Sequence, residues 1–465
     1  MNEKDTPWTG DACSLVDAFR SGDRTPVEEL EATFAAIEAS ELNAFSFIAT
    51  ETARAAAADA DVSQPFGGVP VGVKELDSVA GWPGTDASVP LKDRVSDYDS
   101  TNVARLRDDG GAVLVGLTTA SEFGGVNLTR TKLNGITRNP WSMEATPGGS
   151  SGGAASAVAG GLITIGTGGD GGGSIRIPAG FCGLFGYKST YGRFPGGPFN
   201  IIGSLTAVWG CLARSVRDTA RWLDVCNGYD SRDSLSLARV EGWESGIGSH
   251  DLAGKRVVVV PDLGIATLHP EVREIVETEA KHLIADAGFV QVDVPVELPD
   301  LGLEWALSGL PEVRRELGDL YPDCADDLTP EIALGLNFAD KLYNTEMRGR
   351  IEENRMRMNE AMAAIFDEVD FVIASTNPDV AFDAAGPIRM DVNGEQVPPQ
   401  NNGALTIPSN IYGNPAVSIP VGSSRGLPVG LQVIAPHHRD GELLDVAALV
   451  ERERPWPLTA PGTPL

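Results

Sequence analysis

Residues 169–178, GDGGGSIRIP, set three glycines in a row before Ser174 and place an arginine two residues after it. Glycine loses more freedom on folding than any other residue, so such a run is expected in a turn or linker. Here it lies between the apolar residues 162–165 and the apolar pair flanking Arg176. The wider stretch 145–217 is rich in Gly, Ser and Ala and contains one acidic residue, Asp170. It also carries Arg176, Lys188, Arg193, Arg214 and Arg217. Two readings stand. The segment is a core of small side chains that avoids charge, or it is a site that stabilises developing negative charge and would be spoiled by carboxylates. Either reading puts it at the centre of the molecule.

Around it are 465 residues, enough for one large α/β domain or two smaller ones. The net charge of −29 argues against a nucleic-acid partner, because phosphate binding rests on clustered Lys and Arg. The five cysteines (Cys13, Cys182, Cys211, Cys226, Cys324) are scattered and form no CxxC. A disulfide framework or zinc site is therefore not expected. The start, MNEKDTPWTGD, lacks the basic and apolar parts of a signal peptide. No apolar run approaches the ~18 residues of a membrane span. These features predict a soluble cytoplasmic protein without metal, membrane or nucleic-acid partner.

Thr25-Pro26 and the pair Thr25…Glu28 predict a capped helix over 25–40. Residues 66–81 read as a strand that ends near Lys74, and 111–121 as a second. KRVVVVP (255–261) reads as a buried parallel strand, followed by a helix over 271–288 and a strand over 290–296. A long charged helix is predicted over 345–368, a strand over 371–376 and a last helix over 442–452. "NPAVSIPVG" and "GLPVGLQVIA" close the sheet. One α/β domain with a helical excursion around 300–370 accounts for the pattern.

Several motifs almost fit the glycine-rich centre. GTGGDG (166–171) has dinucleotide-loop spacing, but the acidic residue required about 20 positions on is missing. In GLFGYKST (183–190) Tyr187 separates glycine from lysine and breaks the phosphate-cradling geometry. GGSSG (148–152) makes Ser150 a candidate nucleophile elbow, yet the preceding RNPWSMEATP reads as a loop rather than a strand. That esterase-like reading also needs a histidine, and only His250, His269, His282, His437 and His438 exist. No lysine has a serine three residues before it, which excludes the S-x-x-K site of penicillin-binding proteins. A serine nucleophile without histidine needs another base, and a desolvated lysine can serve. Lys74 ends the apolar run VPVGV, although a strand-end lysine also commonly reaches out to water.

With GGVPVGVKELDSVAG around Lys74, RNPWSMEATPGGSSGGAASAVAGG around Ser150 and GDGGGSIRIPAGFCGLFGYKSTYGR around Ser174, the chain resembles the amidase signature family of serine hydrolases. The likeness continues through GNPAVSIPVG and GLPVGLQVIA and is weak over about 225–370. The 24-residue separation of Ser150 and Ser174 matches the family pattern. The resemblance implies a large central mixed, mostly parallel twisted sheet with helices on both faces. It implies one domain over 1–465, with a core over about 60–220 and 370–465, a variable region over about 225–370 and an N-terminal helical segment over 1–60.

Carried over, Ser174 is the nucleophile, Ser150 the bridging serine after a cis peptide bond from Gly149, and Lys74 the base. Gly171, Gly172 and Gly173, with the Ser174 N–H, form the oxyanion hole. Ser151, Asp170 and Arg176 support the site, and burial with neighbouring cations lowers the affinity of Lys74 for its proton. The reaction implied is hydrolysis of an amide, anilide or carbamate of a small hydrophobic molecule, with no cofactor, by a monomer or homodimer. Gly171 stands where many members have threonine, a variant of branches like aryl acylamidase and nylon-oligomer hydrolase. With the acidic surface, it leans away from the alternative, one component of a tRNA-dependent amidotransferase complex. Pocket walls are expected from about 195–210, 300–345 and 378–405, where FPGGPFNIIG (194–203) and LEWALSGL (303–310) are apolar.

Overall fold

The fold comes from a computed structural model that describes residues 5–199, 206–299 and 302–464. The latter part of FPGGPFNIIG, from residue 200, lies outside the described residues, as do the first side chains of LEWALSGL. Eleven strands join in one sheet. In chain order they are β1 (Phe45–Ile48), β2 (Pro70–Lys74), β3 (Val113–Thr118), β4 (Ile165–Asp170), β5 (Phe185–Lys188), β6 (Val208–Ala213), β7 (Arg256–Val259), β8 (Val290–Gln291), β9 (Phe371–Ser375), β10 (Ala416–Ser424) and β11 (Leu427–Ile434). Across the sheet the order is β1-β3-β2-β4-β6-β5-β10-β11-β9-β7-β8.

This is the expected large mixed sheet, and its parallel pairs are confined to two runs. They are β3-β2-β4 and β9-β7-β8. The strands between them, and β1 at the edge, pair antiparallel, so the sheet is more antiparallel than the sequence suggests. One of the antiparallel pairs is a tight hairpin: β10 and β11 turn back over Arg425-Gly426, with both residues at positive φ.

Both faces are covered, which is why the strands read as continuous apolar runs. Val71, Val73, Phe371 and Ile373 face one core with Val216, Trp222, Val276 and Leu443. Their neighbours Val372 and Ala374 face the other side, against Met358, Met362 and Ile365 of the helix Thr345–Phe366. Alternate residues of one strand thus serve two cores.

Helix ends follow their sequence signals. Thr25 Oγ1 accepts from the Glu28 N–H at 3.2 Å, and Glu28 returns the bond to the Thr25 N–H at 2.9 Å, opening Pro26–Ala39. The helices predicted over 271–288 and 442–452 run Pro270–Ala287 and Asp440–Glu453. The strand predicted over 290–296 shortens to Val290–Gln291, because β8 is the exposed last strand and has a partner on one side alone. Among the described residues, no helix is long and apolar enough to cross a membrane.

β2 and β4 are parallel neighbours, with Gly72 opposite Gly166, so their C-terminal ends lie at one edge of the sheet. Lys74 closes β2 and Asp170 closes β4. The GGGS turn leaves β4 there and enters the short helix Arg176–Cys182. The loop carrying Ser150 enters the helix Gly152–Ala159, which packs on the same strands.

Candidate active site

Lys74 is buried to 3% exposure at the end of a strand buried along its whole length. Its amine lies 2.7 Å from Ser150 Oγ and 2.9 Å from Ser151 Oγ. The expectation of an inward lysine therefore holds over that of one reaching to water. Pro147, Gly148 and Gly149 bring in Ser150, and the Gly149–Ser150 peptide bond is cis. A Cβ on Gly149 would lie 2.7 Å from the Val126 carbonyl oxygen, so this backbone threads between neighbouring chain segments. Ser151 N–H donates to the Ser174 carbonyl at 3.3 Å, which fixes the two serine loops against each other.

Ser174 is the partly exposed member of the group. Among the described residues its hydroxyl makes no hydrogen bond, to Ser150 or to any other group. The structure thus brings Lys74, Ser150 and Ser151 into contact and sets Ser174 beside them with a free hydroxyl.

The glycine turn is built on Asp170. Its carboxylate accepts from the Gly173 N–H at 2.8 Å and from the Ile175 and Arg176 N–H groups at 3.3 Å. The Arg176 guanidinium clamps it at 3.0 and 2.9 Å, and Asn410 Nδ2 adds a bond at 2.8 Å. Asp170 and Arg176 are both fully buried. The guanidinium beside it holds the Asp170 carboxyl well below the usual carboxylate range, against the effect of burial. One of the three glycine donors is therefore already engaged: Gly173 N–H points at Asp170, which corrects the expectation that all three form the oxyanion hole. The N–H groups of Gly171, Gly172 and Ser174 make no hydrogen bond among the described residues. Gly173 has φ +116°, and a Cβ there would meet Thr406 Oγ1 at 2.2 Å, so glycine is required by conformation and by space.

A lysine in contact with one serine, a second serine on a glycine turn and a cis Gly149–Ser150 bond now stand together. A family model described as Amidase matches residues 28–444. The chain belongs to the amidase signature family. One component of the glutamyl-tRNA(Gln) amidotransferase of Akkermansia muciniphila is 32% identical over 457 residues, covering 92% of this chain and 96% of that protein. A bacterial aryl acylamidase of the family superposes with a TM-score of 0.89 at 26% identity, covering 96% of this chain and 97% of the other. A 6-aminohexanoate cyclic dimer hydrolase, solved with its substrate, superposes with a TM-score of 0.86 at 29% identity, covering 97% and 98%.

Within this amidase fold, burial alone pushes the Lys74 amine down to about 8, and the charges around it work the other way. Asp77, Asp170 and Glu75 all favour its protonated form. The expected neighbouring cations are absent from its surroundings among the described residues. Burial also raises Asp77 to about 6 and Glu75 to about 7, the latter against bonds from the Ala120 N–H at 2.6 Å and Asn134 Nδ2.

The rival elbow reading of Ser150 fails on partners. The described residues immediately before it, 137–149, form no strand, and His437 Nε2 is engaged with the Tyr412 carbonyl at 2.7 Å. Four contributors escaped sequence reasoning. Thr167 and Asp77 form a chain to the Lys74 backbone, and Asn410 with Gln432 completes the Arg176 cage from more than 230 positions away. A lone Asp170 in an acid-poor stretch, six residues before an arginine, was the one available hint of that cage.

Beside these polar groups, apolar side chains approach the loops that carry or flank the two serines. A Cβ on Gly172 would meet Trp305 at 3.0 Å and Ile407 at 3.6 Å. One on Gly124 would meet Leu76 at 3.3 Å and Ser150 Oγ at 3.4 Å, and Ile332 covers Gly125. Among the described residues, no group of three or more His, Cys, Asp or Glu could hold a metal ion.

Proposed function

We propose that this amidase cleaves the C–N bond of an amide through an acyl-enzyme on Ser174. The contact of Lys74 with Ser150 at 2.7 Å carries this reading. With Lys74 neutral, the Ser150 hydroxyl donates to the amine while Ser151 accepts from it. Ser150 in turn takes the proton of Ser174, whose hydroxyl turns from its free position as substrate binds. Ser174 Oγ attacks the carbonyl carbon, and the free N–H groups of the turn receive the oxyanion; one such donor is worth about 2.7–4 kcal/mol in the transition state. The relay then returns a proton to the leaving amine, and water hydrolyses the ester by the same path.

Two substrate readings follow. The curated relatives support glutamine as the amide, with this chain as the corresponding component of a tRNA-dependent amidotransferase. That likeness favours the amidotransferase over a free-standing hydrolase, against the lean drawn from Gly171 and the charge. The apolar surroundings (Trp305, Ile407, Leu76 and Ile332) support a small hydrophobic amide, anilide or carbamate. Ester and urethane cleavage use the same oxyanion donors. Purified chain assayed against L-glutamine and a panel of acyl anilides, cyclic amides and carbamates separates the two. Ammonia release from glutamine alone supports the first, and anilide or carbamate turnover the second. Turnover that survives Ser174→Ala overturns both.

A further inference from the structure

Next to the Lys74–Ser150 contact is a carboxylate that the relay does not use. Asp77 is buried to 8% exposure, three residues beyond Lys74. Its backbone N–H donates to the Lys74 carbonyl at 2.8 Å, closing the turn after β2. Its side chain completes a second link. The Lys74 N–H donates to Thr167 Oγ1 at 2.7 Å, and the Thr167 hydroxyl donates to Asp77 Oδ2 at 2.6 Å. Thr167 lies on β4, the strand that ends in Asp170 and the glycine turn. One hydrogen-bonded chain therefore ties the base-bearing strand to the strand that presents Ser174.

Three carboxylates act on the Lys74 amine: Asp77 and Glu75 from its own turn and Asp170 from β4. The charge of Asp170 is already matched by the Arg176 guanidinium, with Lys188 near it. Glu75 is held by the Ala120 N–H and Asn134. Asp77 has Thr167 as its side-chain partner and Lys74 as the cation acting on it, and of the three its effect on Lys74 is the largest.

We propose that Asp77 is a positioning residue for the proton relay: through Thr167 it fixes the Lys74 backbone on β4, and its carboxylate is the counter-charge of the Lys74 amine. The assignment rests on the reading of Lys74 as the base that serves Ser174. A merely structural Asp77 would alter stability and leave the protonation of Lys74 untouched. A counter-charge alters the pH at which the enzyme switches on.

The test is the pH dependence of kcat/KM on a turned-over amide, beside the rate of fluorophosphonate labelling at Ser174. In the wild-type enzyme both rise with pH through the Lys74 value of about 8. Asp77→Asn keeps size and removes the charge that favours protonated Lys74. The limb then moves to lower pH by about one unit, so at pH 6.5 the rate relative to its plateau increases roughly tenfold. Thr167→Val removes the bond that keeps Asp77 ionised and moves the limb in the same direction. Thr167→Ser keeps the hydroxyl and the wild-type limb. Should Asp77→Asn fail to fold, Thr167→Val decides. An active wild-type enzyme whose limb stays put in the folded variants overturns the assignment and leaves the Ser174 reading standing. A wild-type enzyme with neither turnover nor a Ser174 adduct at any pH overturns that reading and the assignment with it.

Discussion

Lys74 Nζ lies 2.7 Å from Ser150 Oγ inside a site where Lys74 is 3% exposed. A desolvated amine in contact with a hydroxyl is poised to take its proton near neutral pH. Replacing it leaves the relay without an acceptor. Lys74→Ala is expected to lower kcat by about 10²–10⁴-fold, the usual range for a positioned general base, with KM little changed. Steady-state kinetics on any turned-over amide checks this, and a variant within a few-fold of wild type contradicts it.

The Asp170–Arg176 pair is buried on both sides and shapes the glycine turn. Asp170→Ala leaves the guanidinium without its counter-charge and frees the Gly173 N–H. Breaking one partner of a buried pair costs about 3–5 kcal/mol, so urea unfolding should show a loss of that order. Activity should fall with it, because the Ser174 backbone loses its anchor.

Gly173 and Gly172 answer different demands. Alanine at 173 meets Thr406 Oγ1 at 2.2 Å with φ at +116°, so both contact and backbone oppose it. Alanine at 172 meets the edge of Trp305 at 3.0 Å, a contact that a small shift of the ring relieves. Gly173→Ala is expected to abolish activity and lower Tm. Gly172→Ala should fold normally and change KM more than Tm. Thermal melts beside kinetics separate the two.

Acidification should stabilise the fold over a defined window. Burial raises Glu75, Asp218 and Glu451 to about 7 and Asp77 to about 6. Between those values and the unfolded range near 4, the folded state holds more protons than the unfolded one. Stability then falls as pH rises. Lys74, pushed down to about 8, stays protonated in both states below pH 6.5 and adds no slope there. Lys188, pushed down to about 7, and His437, lowered by burial, oppose the trend but are outnumbered by the four carboxyls. Tm is therefore expected to rise as pH drops from about 6.5 to about 5, with a smaller rise in Glu75→Gln.

The sequence makes Lys74, Ser150 and Ser174 legible because each sits in a local pattern: a lysine at a strand end and serines among glycines. What it leaves hidden depends on the third dimension. Asn410 and Gln432 reach Arg176 across the fold, and no spacing rule connects them. The Gly173 N–H looks like an oxyanion donor in a string of glycines, yet Asp170 three residues earlier captures it. The surroundings of Lys74 are acidic where cations seemed natural, since Asp77 and Glu75 turn back beside it. Register fails at the sheet edge for a related reason. Residues 290–296 alternate like a strand, but the pairing at the edge ends with the Val292 N–H, which donates to the Val257 carbonyl at 2.9 Å.

The most direct test of the central claim is to treat the purified protein with a fluorophosphonate and map the adduct by peptide mass spectrometry. A single adduct on Ser174, formed far more slowly in Lys74→Ala, is the predicted result. An adduct on Ser150, or labelling of Ser174 that is indifferent to Lys74, would contradict the account.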